Sequence, residues 1–305
     1  MPLRPIRTVL AATDLGSGAE APLRSAAAVA ERTGAALHVV HVLESSRRWL
    51  EGEPDAALVR RIGEARHRVH DQVARALGDA ERVTVHVEVG TAHREILARA
   101  AEVGAELLVA GAHRGGAVES HFLGTTAERL IHGTEVPCLV VKDALALPLG
   151  SIGVPTDARD PAVGAVRTAL AWSMRLAVDG APAPVRMLYV GWELDAADDP
   201  SLEARVILPA LERAAAEAAA EDLGEGPAPR LAMEVEWGND PAGAVARWAR
   251  REGVGLLVLA THGSRGLRRL LAGSVAQGIA REASCPVLLL PRAWWESGAP
   301  EEEGG

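Results

Sequence analysis

The chain has 305 residues, 48% of them hydrophobic and 24% charged, with a formal net charge of -9. That length suits two domains of about 150 residues better than one. No run approaches the roughly 18 consecutive apolar residues of a membrane span, and the acidic balance argues against a dedicated nucleic-acid surface, which needs clustered basic side chains. The opening Met1-Pro2-Leu3-Arg4-Pro5-Ile6-Arg7 runs directly into a strand pattern, without the apolar region and cleavage site of a signal peptide. Cys138 and Cys285 flank equivalent prolines and read as buried, reduced thiols, so a cytoplasmic location is expected.

Thr8 to Ala12 is a short apolar strand ending at Thr13-Asp14. The Gly16-Ser17-Gly18 turn releases it into a helix over Glu20 to Thr33, which Gly34 should stop. A second buried strand is expected over Leu37 to Val42 and a long amphipathic helix over Pro54 to Leu77. Val83, Val85, Val87 and Val89 alternate with Thr84, His86 and Glu88, which predicts a strand with one polar face. A helix over His93 to Val103, the apolar Leu107-Leu108-Val109-Ala110 and a last strand over Val136 to Val141 complete a first domain, residues 1–143.

Residues 144–150 form a linker, and the cycle restarts at Ile152-Gly153-Val154-Pro155-Thr156-Asp157 in a second domain, residues 151–292. A helix over Asp160 to Val178, a strand over Val185 to Val190, a helix over Ser201 to Leu223, an alternating strand over Leu231 to Trp237 and a helix over Pro241 to Arg251 retrace the first half. Residues 293–305 form a tail, acidic and Gly-rich from Pro300 onward and expected to be disordered. Strands alternating with helices imply α/β domains with parallel sheets built from right-handed crossovers.

One stretch recurs in both halves. Leu256-Leu257-Val258-Leu259 leads into Ala260-Thr261-His262-Gly263 and, after nine intervening residues, into Gly273-Ser274; upstream, Leu107 to Ala110 leads into Gly111-Ala112-His113-Arg114 and, again after nine intervening residues, Gly124-Thr125. A strand that empties through a glycine-bearing loop into a helix turns backbone N–H groups and the positive helix end toward an anion, and phosphate is the natural guest. The Ser274 hydroxyl can donate to a phosphate oxygen or serve as an ordinary N-cap.

The pattern Gly-x2-Gly-x9-Gly-Ser/Thr after the fourth strand, with Thr-Asp after the first, resembles the universal stress protein family in its tandem form, over nearly the whole chain outside linker and tail. The resemblance implies two open, doubly wound five-stranded parallel sheets, Rossmann-like and similar to the adenine nucleotide alpha hydrolase fold, with strand order 3-2-1-4-5 and helices on both faces. Ligands of such sheets bind where the strand order reverses, between the first and fourth strands. By resemblance, an adenine nucleotide such as ATP, with Mg²⁺ as a plausible companion of a triphosphate, would meet Pro155, Thr156 and Asp157, the backbone at Val190, and Gly263, Gly273, Ser274 and Val275 in the second half. The corresponding residues of the first half are Ala12, Thr13, Asp14, Val42, Gly111, Arg114, Gly124 and Thr125.

Both halves depart from the family pattern. Ala260 replaces the first loop Gly of the second half, and Arg114 replaces the second loop Gly of the first half, where it could clamp a phosphate or fill the site; the second half therefore ranks as the better site. Arg265, Arg268 and Arg269 could serve a nucleotide or form a solvated turn. His113 and His262 match in position, yet no carboxylate partner, Walker-type Gly-Lys-Ser/Thr, metal-ligand cluster or nucleophile elbow accompanies them. The expected function is an ATP-binding regulatory module with at most weak hydrolysis. The alternatives are a nucleotide-free scaffold acting through protein contacts and, third, a slow ATPase. Family members commonly pair through their last strands, so pairing of Val136–Val141 with Cys285–Leu290 within the chain is expected, as is a homodimer of the whole chain.

Overall fold

The computed structural model describes residues 5–44, 56–78, 82–112, 123–156, 161–191, 206–213, 215, 228–261, 274–291 and 294. In the first half the chain runs β1 (Thr8–Thr13), a 3-10 turn at Ser17–Ala19, α1 (Glu20–Thr33), β2 (Ala36–Glu44), α2 (Ala56–Leu77), β3 (Val83–Gly90), α3 (Ala92–Glu102), β4 (Leu107–Gly111), α4 (Thr125–Gly133) and β5 (Cys138–Val141). The second half follows with β6 (Ile152–Thr156), α5 (Pro161–Arg175), β7 (Val185–Gly191), β8 (Leu231–Trp237), α6 (Pro241–Arg251), β9 (Leu256–Ala260), α7 (Ser274–Glu282) and β10 (Val287–Leu290).

The strands lie in the order β3-β2-β1-β4-β5-β10-β9-β6-β7-β8. Each half is thus a parallel sheet of order 3-2-1-4-5, as the resemblance implies. The two are joined edge to edge, because β10 runs antiparallel to β5 with Val287, Leu288 and Leu289 opposite Val140, Leu139 and Cys138. The short strands β4, β5, β9 and β10 are nearly continuous apolar runs because both faces are covered. On one face Leu23 and Val29 of α1, Val69 and Val73 of α2 and Leu170 of α5 share a core with Val9, Val39 and Val258. On the other, Ile96 of α3, Leu130 of α4, Trp248 of α6 and Ile279 of α7 pack on Leu10, Val40, Leu108 and Leu257.

Local chemistry sets several boundaries. Gly34 takes φ 69°, a left-handed conformation that ends α1, and its N–H donates to the Ala30 carbonyl. Asp240 caps α6 by accepting from Gly243 N–H at 3.2 Å, with Pro241 in the first turn where its missing N–H costs nothing. α5 stops at Arg175, three residues short of the Val178 expected from apolar periodicity. Asp179 and Gly180 instead take φ 52° and 74°, closing a tight turn in which Ala181 N–H donates to the Val178 carbonyl at 3.0 Å. β2 runs two residues beyond Val42, to Glu44. Trp172 and Trp248 are buried and Trp294 packs partly against the core, while Trp49, Trp192 and Trp295 lie outside the described residues.

Candidate functional site

The β1–β4 switch point of the first half opens into a cavity of about 450 Å³, lined by Ala12, Thr13, Asp14, Val42, Gly111, Gly124 and Thr125. These residues come from the ends of β1, β2 and β4 and the start of α4. Arg114 lies outside the described residues, as does the rest of 113–122. Gly124 N–H donates to the Ala112 carbonyl at 2.7 Å, so the chain re-enters α4 beside the point where it leaves β4.

Each wall has a physical origin. β1 pairs with β2 only as far as Thr13 opposite His41, whereas β2 continues to Glu44 along β3. Beyond His41 no residue of β1 stands opposite β2, and Val42, Leu43 and Glu44 line the cavity, where the end of a strand can read the donors and acceptors of a planar heterocycle. Gly124 caps α4 with φ -66° and ψ 145° and supplies no side-chain hydrogen bond, so the first-turn amides of α4 remain open to an anion. Asp14 and Glu44 are the carboxylates on the lining. The described lining contains no Lys or Arg, so the α4 amides are its attraction for phosphate.

The Asp14 turn is braced from a distance. Thr13 Oγ1 donates to Gln72 Oε1 of α2 at 2.6 Å and accepts from Leu15 N–H at 3.1 Å; Gln72 Nε2 donates to the Gly16 carbonyl at 3.2 Å. Asp14 Oδ1 accepts from Gly16 N–H at 2.8 Å. These bonds hold Leu15 at φ 62°, a conformation costly for a side chain with a Cβ. His41 Nδ1 donates to the Thr13 carbonyl at 2.9 Å, which fixes the ring against the end of β1. Gln72, His41 and Glu44 are absent from the residues expected by sequence. Their only sequence signal is polarity at positions where the helix or strand pattern is otherwise apolar.

In the second half, Pro155 and Thr156 end β6, Val190 lies near the end of β7, and all three are half-buried. Ser274 begins α7 and Val275 is exposed. Asp157, Gly263 and Gly273 lie outside the described residues, as do His113, His262, Arg265, Arg268 and Arg269. Here the exit of the second strand is covered differently: a Cβ on Gly191 would stand 2.3 Å from the Trp237 ring, so that ring lies directly against the glycine.

Burial pushes the Cys138 thiol up to about 12 and the Cys285 thiol up to about 11, keeping both protonated and unreactive at neutral pH. Among the described residues there is no group of three or more His, Cys, Asp or Glu side chains that could hold a metal. No helix among them is long and apolar enough to cross a membrane.

Fold and crevice together define a class: a duplicated, doubly wound α/β module with an anion-ready crevice at the sheet's switch point. The universal stress protein family model matches residues 5–142 and again 149–291. The chain is 33% identical over 111 residues to universal stress protein G of Shigella flexneri and of Escherichia coli O157:H7, a match covering 35% of this chain and 77% of each relative. Among solved structures it is similar to a universal stress protein of Archaeoglobus fulgidus, with TM-score 0.61, 15% identity and coverage of 93% of this chain and 98% of that one. It is also similar to a Pseudomonas aeruginosa UCBPP-PA14 protein described as of the same kind, with TM-score 0.64, 18% identity and coverage of 94% and 93%. The chain belongs to the universal stress protein family, as a tandem of two family domains.

Proposed function

We propose that the chain is a cytoplasmic adenine-nucleotide-binding regulatory module, with ATP as the leading ligand and little or no catalysis. The observation that carries this reading is the 450 Å³ switch-point cavity with Asp14, the end of β2 and the start of α4, whose cap supplies no side-chain acceptor, on its walls. Each fits one part of a nucleotide. The end of β2 suits the base, the Asp14 carboxylate accepts from ribose hydroxyls, and the α4 amides suit phosphate oxygens, with Mg²⁺ accompanying a triphosphate. Arg114 would enter from the adjoining loop as a phosphate clamp. Pro155, Thr156, Asp157, Val190, Gly263, Gly273, Ser274 and Val275 form the equivalent set in the second half.

Free thiols accord with a reducing compartment. The antiparallel β5–β10 ladder supports stable pairing of the two halves within one chain, and a homodimer of the whole chain is part of the same proposal. The decisive experiment is calorimetric titration of nucleotide-stripped protein with ATP, ADP and AMP, with and without Mg²⁺. Saturable binding that Asp14→Ala weakens at least tenfold supports the site; no binding by any of the three leaves the scaffold reading in its place.

A further inference from the structure

The two halves differ at the opposite end of the sheet, where β6 and β9 begin. In the first half Glu106 stands immediately before β4, and its carboxylate accepts from the backbone N–H groups of Arg7 and of Thr8, the latter at 3.1 Å. The backbone aligns this corner with its counterpart: Glu106 N–H donates to the Thr8 carbonyl at 3.0 Å, and Gly255 N–H donates to the Ser151 carbonyl at 2.9 Å. Gly255 therefore occupies the place of Glu106, and Gly150 and Ser151 those of Arg7 and Thr8. The second half has the amides but lacks the carboxylate.

Three observations indicate that this difference leaves a binding site. Among the described residues no acceptor meets the Gly150 or Ser151 amide. The Ser151 hydroxyl is buried and has no hydrogen-bond partner among the described residues, and a buried hydroxyl left unpaired is costly because it has lost its water. Both residues line a cavity of about 380 Å³ whose other walls include Arg186, Arg230 and Glu252. Arg186 is shared at 2.8 Å each between Glu234 and Glu252, and the second oxygen of Glu252 is held by Arg251 at 2.8 Å. Among the described residues Arg230 is thus the cation on the wall left for a guest, and the guest's chemistry is that of the missing side chain.

We propose that the base of the second half binds a small carboxylate at the Gly150 and Ser151 amides, the Ser151 hydroxyl and Arg230. The ligand takes the role that Glu106 plays from within the chain in the first half. The site is independent of the nucleotide crevice, since it lies at the N-terminal ends of the strands whose C-terminal ends form that crevice.

The test is amide NMR on the full chain, labelled with ¹⁵N at Gly and Ser and titrated with sodium acetate against sodium chloride at constant ionic strength. Acetate is expected to move the Gly150 and Ser151 resonances saturably, Arg230→Gln to weaken that response at least fivefold, and excess ATP to leave it unchanged. Gly255→Glu rebuilds the first half's arrangement. Gly255 does not occupy the left-handed region, and its Cβ would lie 3.4 Å from Gly150 N and 3.1 Å from a Leu149 methyl, which must give by a few tenths of an ångström. In that variant acetate should have no further effect. Shifts no larger than those with chloride, or an acetate response unchanged in Gly255→Glu, overturn the proposal. Should Gly255→Glu not fold, unchanged acetate affinity in both Ser151→Ala and Arg230→Gln overturns it equally.

Discussion

Replacing Gln72 by Leu would remove the brace behind Asp14 without changing the volume of the core much. Thr13 Oγ1, on a residue only 6% exposed, loses its acceptor; leaving such a hydroxyl unpaired costs about 1–3 kcal/mol. The Gly16 carbonyl loses its donor, a further ~1 kcal/mol. A buried leucine offsets part of this through apolar burial, so the net expectation is about 2 kcal/mol. For a half of this size that lowers its melting transition by about 4–8 °C. ATP affinity should fall about tenfold, because Leu15 is then free to leave its strained conformation and carry Asp14 with it. Calorimetry of Gln72→Leu, Thr13→Val and the double variant separates bracing from simple packing. With both polar partners gone, nothing is left unpaired between them, so the double variant should cost about 1–2 kcal/mol less than the sum of the singles. Strict additivity, or a Gln72→Leu protein that melts and binds as the wild type does, would refute the bracing argument.

Gly124→Val tests the cavity without straining the chain, since φ -66° and ψ 145° are open to any residue; ATP titration should lose one binding event while the melting temperature stays within about 2 °C. His38 and His86 stack with ring centres 5.2 Å apart, joined by a 2.9 Å Nδ1 to Nε2 hydrogen bond. Burial, then the Arg99 guanidinium, pushes both rings below their ordinary value of 6.5. The native state therefore binds fewer protons than the unfolded chain, and stability falls as pH drops from about 6.5 toward 5. Urea midpoints of a His38→Gln/His86→Gln variant should show a flatter slope over that window. Finally, an aromatic disulfide reagent at pH 7 should leave Cys138 unlabelled in the folded chain and label it promptly in urea; fast native labelling would contradict its burial.

Much of the fold was legible because its signals are local. Gly34 after Arg32-Thr33, the Asp240-Pro241 pair and the valine alternation from Val83 to Val89 each act within a turn or a strand, and α1, β8 and α6 span the residues expected of them. The helix expected to reach Val178 stops early because Asp179-Gly180, a turn signal, outweighs apolar periodicity. In the first half, the residues nominated by the family resemblance line one cavity wherever they are described, since strand ends and a helix start converge at the switch point of any sheet so ordered.

Sequence by itself determined the duplication, the alternation of strand and helix, and the stretches that end at the crevice, because periodicity and turn chemistry are properties of neighbouring residues. Tertiary structure alone decided which side chains hold that crevice in shape. Gln72 reaches Thr13 across 59 positions and His41 reaches it across 28. Tertiary structure likewise joined β5 to β10, and it set Glu106 against two amides that Gly255 leaves bare in the other half. Such contacts depend on where separate elements come to rest, and no local pattern encodes the partner of a buried polar group.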